Sequence, residues 1–261
     1  MTSADIRGAY DLSAEAWAGG PERLYGKLAE ALLAAAPVDV RGARVLDVGA
    51  GTGVASRAAL AAGAANVVAV DLSASMLGEG LGDGRGAFDP VLGDASALPF
   101  RAAVFDLVVA ACCLSHLPDP QQALRETRRV GTSIVASAFT TDWTHPAKAA
   151  AEEALAAVGF QAPAWYVTFK AATERLVADP AALAGLAESA GYGRVQVQVV
   201  DVATGLDTPA EMAAWRLGMA HVAPFLRSLA PERQAQVRRT AEDALVAAPP
   251  LVVPLVVLAA S

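Results

Sequence analysis

The chain has 261 residues, a formal net charge of −7 at pH 7 and a sequence pI near 5.0. We expect no nucleic-acid partner, because binding to phosphates needs a concentrated basic face. We also expect no membrane insertion, since the longest apolar run, 251–260, is too short to span a bilayer and is interrupted by Pro254.

The length favours a single domain, 1–261, that carries insertions, over two independent domains. Residues 1–7 are polar and lack the pattern of a signal peptide, so a cytoplasmic location is expected. The two cysteines, Cys112 and Cys113, are adjacent and do not suggest a disulfide framework. The three histidines are scattered without ligand spacing, so no metal is expected, and no feature fixes the oligomeric state.

The N-terminal segment, 1–40, is predicted to form a helical cap. Residues 13–35 have helical character and are interrupted by Gly19, Gly20 and Pro21. The apolar segment 44–48 follows, and it is predicted as the first strand of a sheet.

That strand runs directly into three glycines spaced two apart, Gly49, Gly51 and Gly53. Glycine tolerates positive φ and places no Cβ between the backbone and a ligand. The stretch 52–60 that follows is predicted as a helix whose first N–H groups point at whatever lies over the turn. The segment therefore predicts a nucleotide-binding turn, a device that dinucleotide-binding folds share.

Polar residues or glycine follow the next three predicted strands as well. Asp71 ends the run 66–70, where a carboxylate can accept hydrogen bonds from ribose hydroxyls. Gly93 and Asp94 follow the strand at 90–92, and Cys112 lies just beyond the strand at 105–110. Taken singly, Asp71 can also cap a helix and Asp94 can also stabilise a turn.

The remaining elements continue the alternation of strands and helices. Asp119 and Pro120 predict the start of a helix that runs to about Val130. Strands are predicted at 132–139, 194–202 and 251–259, with a further helix at about 180–190. This alternation predicts an α/β fold with a parallel sheet and helices on both faces.

In this order the motifs resemble those of the class I S-adenosylmethionine-dependent methyltransferases, of the small-molecule type related to ubiquinone and menaquinone biosynthesis enzymes. The resemblance covers roughly 40–120 and implies a Rossmann-like, doubly wound sheet of seven strands. Their implied order is 3-2-1-4-5-7-6, with strand 7 antiparallel. The implied cofactor is S-adenosyl-L-methionine, which leaves as S-adenosyl-L-homocysteine, and the implied cofactor-binding core is 41–139.

The resemblance also implies a role for the residues at the strand ends. Those of the first strand and its turn would hold the methionine end of the cofactor: Asp47, Gly49, Ala50, Gly51, Thr52 and Gly53. Asp71 would bind the ribose, while Leu72 and Met76 would flank the adenine. At the adenine edge would lie Gly93, Asp94 and Ala95. The methionine amino group would face Ala111 and Cys112.

Two stretches outside this core, 140–178 and 206–249, are predicted as helical lid inserts. They carry seven of the fifteen aromatic residues of the chain. An insert after the fifth strand emerges at the edge of the sheet where open α/β folds bind ligands. We therefore expect a small-molecule acceptor to be bound by aromatic residues of the N-terminal segment and the inserts: Tyr10, Trp17, Trp143, His145, Trp165 and Tyr166. The alternative is that these aromatics only pack helices together.

His116 is the predicted catalytic residue, because it lies four residues beyond Cys112 in the loop after the fourth strand. A histidine near its unperturbed pKa can take a proton from an acceptor hydroxyl. The alternative is a loop histidine that braces Asp119 or the backbone. The acceptor atom stays open between oxygen, nitrogen and carbon.

The expected function is methyl transfer to a small organic acceptor, such as a natural product or a quinone-like metabolite. The same cofactor pocket would also serve a non-methylating reaction, such as a cyclisation, or a binding protein without catalysis. A nicotinamide or flavin enzyme is the other competitor, since it shares the glycine turn and the later acid. It has no use for Gly93 and Asp94 followed by the segment 98–100.

Overall fold

The computed structural model describes residues 2–82 and 87–261. Within them, a sheet of seven strands has the order β3-β2-β1-β4-β5-β7-β6. The strands are β1 (Arg44–Val48), β2 (Asn66–Asp71), β3 (Asp89–Leu92), β4 (Leu107–Ala110), β5 (Ile134–Phe139), β6 (Val195–Ala203) and β7 (Val252–Ala260).

Strands β1 to β5 pair in parallel, whereas β7 lies antiparallel between β5 and β6. The predicted strand order and the antiparallel last strand are therefore confirmed. In the centre of the sheet, Asp47 of β1 lies opposite Ala69 of β2 and Val109 of β4. This register brings the carboxyl ends of β1, β2 and β4 to one edge, where open parallel sheets bind ligands.

Helices fill the segments between the strands. Before the sheet lie α1 (Ser3–Asp11), α2 (Ala14–Ala18) and α3 (Pro21–Ala34). Within the core lie α4 (Val54–Ala61), α5 (Ala74–Leu81), a short 3₁₀ helix (Leu114–His116) and α6 (Pro120–Val130). The later helices are α7 (Pro146–Ala156), α8 (Ala164–Ala171), α9 (Thr173–Ala178), α10 (Pro180–Ser189), α11 (Pro209–Leu217), α12 (Ala223–Ser228) and α13 (Pro231–Asp243).

Local sequence explains where several helices begin. The Asp119 carboxylate accepts a hydrogen bond of 2.9 Å from the Gln122 N–H, and Pro120 occupies the first turn of α6. Ser73 caps α5 in the same way, by accepting from the Met76 N–H. Such caps satisfy N–H groups that have no partner within the helix.

The two faces of the sheet carry separate apolar layers. Successive side chains of a strand point to opposite faces, so Val45 belongs to one layer and Leu46 to the other. The Val45 layer includes residues of α3, α4, α7, α11 and α13, and the Leu46 layer includes residues of α6, α9 and α10. The same alternation directs Asp47 to the face of Val45, where its side chain is buried.

The predicted inserts contain α7 to α9 and α11 to α13. Four alanines of α7 with the spacing of one helix face are buried: Ala147, Ala150, Ala151 and Ala154. Helix α7 packs against α11 and α13, and α11 packs against α3. Helices α7, α11 and α13 therefore extend the helical layer on the Val45 face of the sheet, whereas α9 packs in the Leu46 layer. No helix in the described part of the chain is long and apolar enough to cross a membrane.

Candidate functional site

The glycine turn after β1 depends on backbone conformations that favour glycine. Gly49, Gly51 and Gly53 have φ values of +68°, +57° and +80°. Space is limiting as well, since a Cβ on Gly49 would lie 2.3 Å from the Cys113 Sγ. A larger residue at Gly49 would therefore be strained in φ and would collide with Cys113, just beyond the end of β4.

Asp47 brings a buried carboxylate to the floor of this turn. Its side chain is 1% exposed, and its Oδ2 accepts a hydrogen bond of 2.7 Å from the Ser56 Oγ. Its Oδ1 has no hydrogen-bond partner within 2–82 and 87–261. Burial raises the pKa of Asp47 to about 6, against the opposing effect of the Ser56 hydrogen bond. A cation at this position would satisfy Oδ1 and favour the ionised form.

Asp71 ends β2 and ties two loops together. Its Oδ2 accepts from the Gly51 N–H and its Oδ1 from the Ser73 N–H, both at 2.8 Å. Burial raises the pKa of Asp71, while the hydrogen bonds from Ser73 and Gly51 oppose that rise. The carboxylate is therefore held in place beside the glycine turn.

The ends of β3 and β4 complete the floor. Gly93, Ala95, Ala111 and Cys112 line the cleft. Cys112 has a φ of +53°, and its N–H donates to the Ser137 Oγ over 3.1 Å. A non-glycine residue in this conformation is strained, and such strain clusters at functional sites.

Helices from the N-terminal segment cover the cleft. Ile6, Tyr10, Trp17 and Tyr25 line it from this side. The Asp11 Oδ1 of α1 accepts a hydrogen bond of 2.6 Å from the Ser73 Oγ, beside the Asp71 loop. Together with its mouth, which is open to solvent, the cleft encloses about 1010 Å³ of space between the protein atoms.

A second cavity, of about 700 Å³ when its opening to solvent is included, adjoins the cleft. We call it the aromatic cavity, after the six rings in its wall beyond those that it shares with the cleft: Phe139, Trp143, Trp165, Tyr166, Phe169 and Trp215. Three residues line both spaces: Tyr10, Tyr25 and His116. The two spaces therefore meet at this shared wall.

His116 is packed between rings. Its imidazole stacks on Phe169 with centroids 4.4 Å apart and meets the edge of Tyr10 at 5.8 Å. Its Nδ1 is buried and has no hydrogen-bond partner. Burial, followed by the nearby charge of Lys170, lowers the pKa of His116 to about 4. The expectation of an unperturbed histidine pKa is therefore wrong, because the ring is desolvated.

The structure brings together most of the predicted site residues. The cleft wall holds twelve of the predicted cofactor residues: Asp47, Gly49, Ala50, Gly51, Thr52, Asp71, Leu72, Met76, Gly93, Ala95, Ala111 and Cys112. Tyr10 and Trp17 also line the cleft, whereas Trp143, Trp165 and Tyr166 line the aromatic cavity.

Three predicted residues lie outside both walls. The Asp94 Oδ1 accepts from the N–H and Oγ of Ser96, so it stabilises its own turn. Gly53 packs under Phe88, whose ring leaves no room for a Cβ. His145 caps α7, because its Nδ1 accepts from the Ala147 N–H and its Nε2 lies 3.2 Å from the Pro249 carbonyl oxygen.

Several residues of the aromatic cavity were not predicted as ligands. Lys148, Lys170 and Arg216 line it together with Glu174 and His221. No motif marks these positions, because they lie on four separate helices and in a loop of the inserts. In the described part of the chain, no group of three or more His, Cys, Asp or Glu side chains could hold a metal ion.

Comparison with known proteins identifies the family. Residues 46–133 match the model of a methyltransferase domain. A demethylmenaquinone methyltransferase of Mycolicibacterium vanbaalenii is 32% identical over 197 residues, which cover 72% of this chain and 82% of that protein. The chain belongs to the class I S-adenosylmethionine-dependent methyltransferases. Its cofactor is S-adenosylmethionine.

Other relatives match a smaller share of their length. The demethylmenaquinone methyltransferase of Renibacterium salmoninarum is 36% identical over 142 residues, which cover 54% of this chain. That match spans 57% of the relative's own length. Among solved structures, the [4+2]-cyclase SpnF superposes with a TM-score of 0.61 at 19% identity, over 100% of this chain and 97% of that one. At this identity the likeness shows a shared fold.

The cleft of this methyltransferase-family chain fits S-adenosylmethionine in its chemistry. The cofactor carries a cationic amino group, and Asp47 offers a buried carboxylate oxygen without a partner. Gly49 and Gly51 line the cleft with backbone and place no side chain in it. Asp71, which lies between these loops, is a hydrogen-bond acceptor for hydroxyl groups.

Proposed function

We propose that the protein transfers the methyl group of S-adenosylmethionine to a small aromatic or quinone-like acceptor. The observation that carries this proposal is the wall that the cleft and the aromatic cavity share, formed by Tyr10, Tyr25 and His116. A methyl donor in the cleft and an acceptor in the cavity would meet there. Such an arrangement gives a bimolecular reaction its proximity.

In this proposal the strand ends hold the cofactor. Asp47 would bind the amino group through its unpartnered Oδ1, and the turn at Gly49 and Gly51 would admit the methionine end. Asp71 would accept hydrogen bonds from the ribose. A hydrogen bond to a charged group contributes about 1.5–3 kcal/mol, so Asp71 has a measurable share of the affinity.

The bound cofactor supplies a methyl group that the positive charge on sulfur has already activated. The chain therefore contributes mainly orientation and the exclusion of water, which together lower a barrier by up to about 7–11 kcal/mol. Tyr10, Trp17 and Tyr25 serve this purpose, because their rings close the cleft beneath the N-terminal helices. Burial raises the pKa of Tyr10, so its hydroxyl stays protonated and can donate to an acceptor oxygen.

His116 would orient the acceptor at the shared wall. With a pKa of about 4 it is neutral near pH 7, and its unpartnered Nδ1 faces a desolvated surrounding. A neutral imidazole can accept a hydrogen bond from an acceptor hydroxyl. The low pKa makes it a weak base, which favours positioning over proton abstraction.

The acceptor class follows from the aromatic cavity and from the relatives. Flat aromatic walls such as Trp143 and Tyr166 suit a ring system with a few polar groups. The matching relatives are demethylmenaquinone methyltransferases by name, which supports an acceptor with a fused aromatic ring.

The direct test incubates the purified protein with S-adenosylmethionine and a panel of phenols, naphthols and 1,4-naphthohydroquinone. We expect a product that gains one methyl group, formed in equal amount with S-adenosylhomocysteine, and none with Asp71→Ala at low cofactor concentration. If no acceptor gains a methyl group, the proposal is wrong. An isomer of the acceptor without consumption of cofactor would replace it with a non-methylating reaction, such as a cyclisation.

A further inference from the structure

The aromatic cavity has an excess of positive charge. Its lining residues include three cations, Lys148, Lys170 and Arg216, and one carboxylate, Glu174. Glu174 pairs with Lys170, whose Nζ lies 2.5 Å from its Oε2. The two histidines in the wall do not add charge at neutral pH, because burial lowers the pKa of both His116 and His221. Among the described residues, the wall of the cavity therefore offers no carboxylate to pair with Lys148 and Arg216.

Arg216 is the cation with the least complete set of partners. It is 8% exposed, and its Nε has no hydrogen-bond partner among the residues that the structure describes. Its ion-pair partner, Glu152, lies 3.7 Å from Nη2 and has a side chain that is 68% exposed. The neighbouring Trp215 Nε1 is also buried without a partner. Buried donors of this kind are costly unless a ligand or water satisfies them.

Lys148 lines the same cavity, where the positive charges of Arg216 and Lys170 repel its own charge. Its Nζ donates a hydrogen bond of 2.6 Å to the Trp143 carbonyl oxygen and lies 4.7 Å from the centre of the Trp143 ring. Burial lowers the pKa of Lys148, and the charges of Arg216 and Lys170 lower it further. An anion in the cavity would relieve this repulsion and supply acceptors to the free donors.

We infer that the acceptor carries an anionic oxygen group, a carboxylate or an ionised hydroxyl, which Arg216 binds with Lys148 close by. This inference rests on the proposed function, because it takes the aromatic cavity as the acceptor site. A guanidinium is suited to the role, since its fixed fork of N–H donors matches planar oxygen pairs. The inference narrows the acceptor class from any aromatic compound to an aromatic acid or an acidic enol or phenol.

The experiment compares two probes of equal shape and different charge, 1-naphthoate and 1-naphthamide. Their binding to the protein saturated with S-adenosylhomocysteine is measured by calorimetry near neutral pH. We expect 1-naphthoate to bind at least about tenfold more tightly, a difference of about 1.4 kcal/mol. A second pair, 4-nitro-1-naphthol and its methyl ether, tests in the same way whether the protein binds an ionised hydroxyl more tightly than a neutral analogue.

Variants assign the preference to Arg216. Arg216→Gln should weaken 1-naphthoate by about tenfold or more and leave 1-naphthamide within about threefold. Arg216→Lys should keep part of the preference, since it keeps the charge and loses the fork. The matched control is Arg239→Gln, which removes an exposed cation from α13 and should leave both probes unchanged. If Arg216→Gln does not fold, Lys148→Met takes its place, and it should weaken 1-naphthoate at least threefold.

Equal affinities within both pairs, including no binding at all, would overturn the inference. So would a preference for the anions that survives the Arg216 and Lys148 variants. Methylation of neutral acceptors by the wild type, with no preference for the anionic ones, would remove the inference and leave the proposed function intact. Tight binding of 1-naphthoate by a protein that methylates no acceptor would leave the anion site intact and would remove the proposed function.

Discussion

The cofactor cleft and the aromatic cavity are built in different ways. The floor of the cleft lies at the carboxyl ends of parallel strands, with Gly49, Asp71 and Cys112 at the ends of β1, β2 and β4. The cavity is formed by side chains from distant parts of the chain, such as Tyr10, Trp143 and Arg216. A cofactor site of this kind can therefore be recognised from short stretches of sequence, whereas an acceptor site forms only when distant residues pack together.

The largest effect is expected where backbone and packing coincide, at Gly49. Gly49→Ala places a Cβ 2.3 Å from the Cys113 Sγ and puts a side chain at a φ of +68°. Overpacking costs about 1–3 kcal/mol and positive φ about 1–2 kcal/mol, so we expect unfolding to become easier by about 2–5 kcal/mol. Chemical denaturation measures this change.

Gly78→Ala is the matched control for that substitution. Gly78 lies in the exposed part of α5, and a Cβ there would meet nothing within 4 Å. Alanine is the better helix former by about 1 kcal/mol, so the variant should be more stable than the wild type. Equal effects of the two substitutions would show that the turn does not require glycine.

Asp71→Ala is expected to have the next largest effect, on cofactor binding. The substitution removes the proposed ribose contact and the hydrogen bonds to the Gly51 and Ser73 N–H groups. Affinity for S-adenosylhomocysteine should fall by about 1.5–3 kcal/mol in calorimetry. Asp201→Ala, on the exposed surface of β6, is the control and should bind as the wild type does. Unchanged affinity in Asp71→Ala, or tight binding of NADH by the wild type, would refute the proposed role.

Substitutions in the aromatic cavity should separate acceptor from cofactor. Trp143→Ala, Trp165→Ala and Tyr166→Ala should each raise the acceptor KM or lower turnover by about tenfold, about 1.4 kcal/mol. Cofactor affinity should stay within about threefold, or about 0.7 kcal/mol.

Phe160→Ala provides the control for these three variants. Its ring packs on Phe225 with centroids 5.2 Å apart, between the two inserts and outside the wall of the cavity. It should lower stability without changing the acceptor KM. Wild-type kinetics in all three cavity variants would mean that those aromatics only pack the inserts.

Cofactor binding should also depend on pH through Asp47. Its pKa is raised to about 6 in the free protein, and a bound cation would lower it, so binding releases a proton below that pH. The affinity should therefore fall by about tenfold on going from neutral pH to one unit below the pKa.

Protonated Asp47 favours the folded state, and this contribution is lost as the pH rises through about 6. The cofactor should accordingly raise the Tm more above that pH than below it, and Asp47→Asn should remove most of the difference.

The smallest effect is expected at His116. Because burial lowers its pKa to about 4, the imidazole carries no charge near pH 7 and is a weak base. His116→Gln should lower kcat by less than about tenfold, and the wild-type rate should show no inflection near the ordinary histidine pKa of about 6.5. A loss of about a hundredfold with such an inflection would restore proton abstraction to His116.

Particular residues show which features can be predicted from the sequence and which depend on packing. The helix start at Asp119 and the turn at Gly49 depend on neighbours in the chain, and both were predicted from local patterns. His145 and His116 carry no local sign of their surroundings, so the cap of one and the lowered pKa of the other emerge only from the packed structure. Arg216 is part of an ordinary amphipathic helix in the sequence, and only the packing of α11 against α7 and α13 makes it a buried cation.

The most direct test of the division between cleft and cavity is a crystal structure grown with S-adenosylhomocysteine and an acceptor that the assay shows to be methylated. The account predicts the ribose at Asp71, the acceptor ring between Trp143 and Tyr166, and its reactive atom at the wall of Tyr10 and His116. An acceptor bound in any other part of the molecule, with the aromatic cavity left to water, would contradict it.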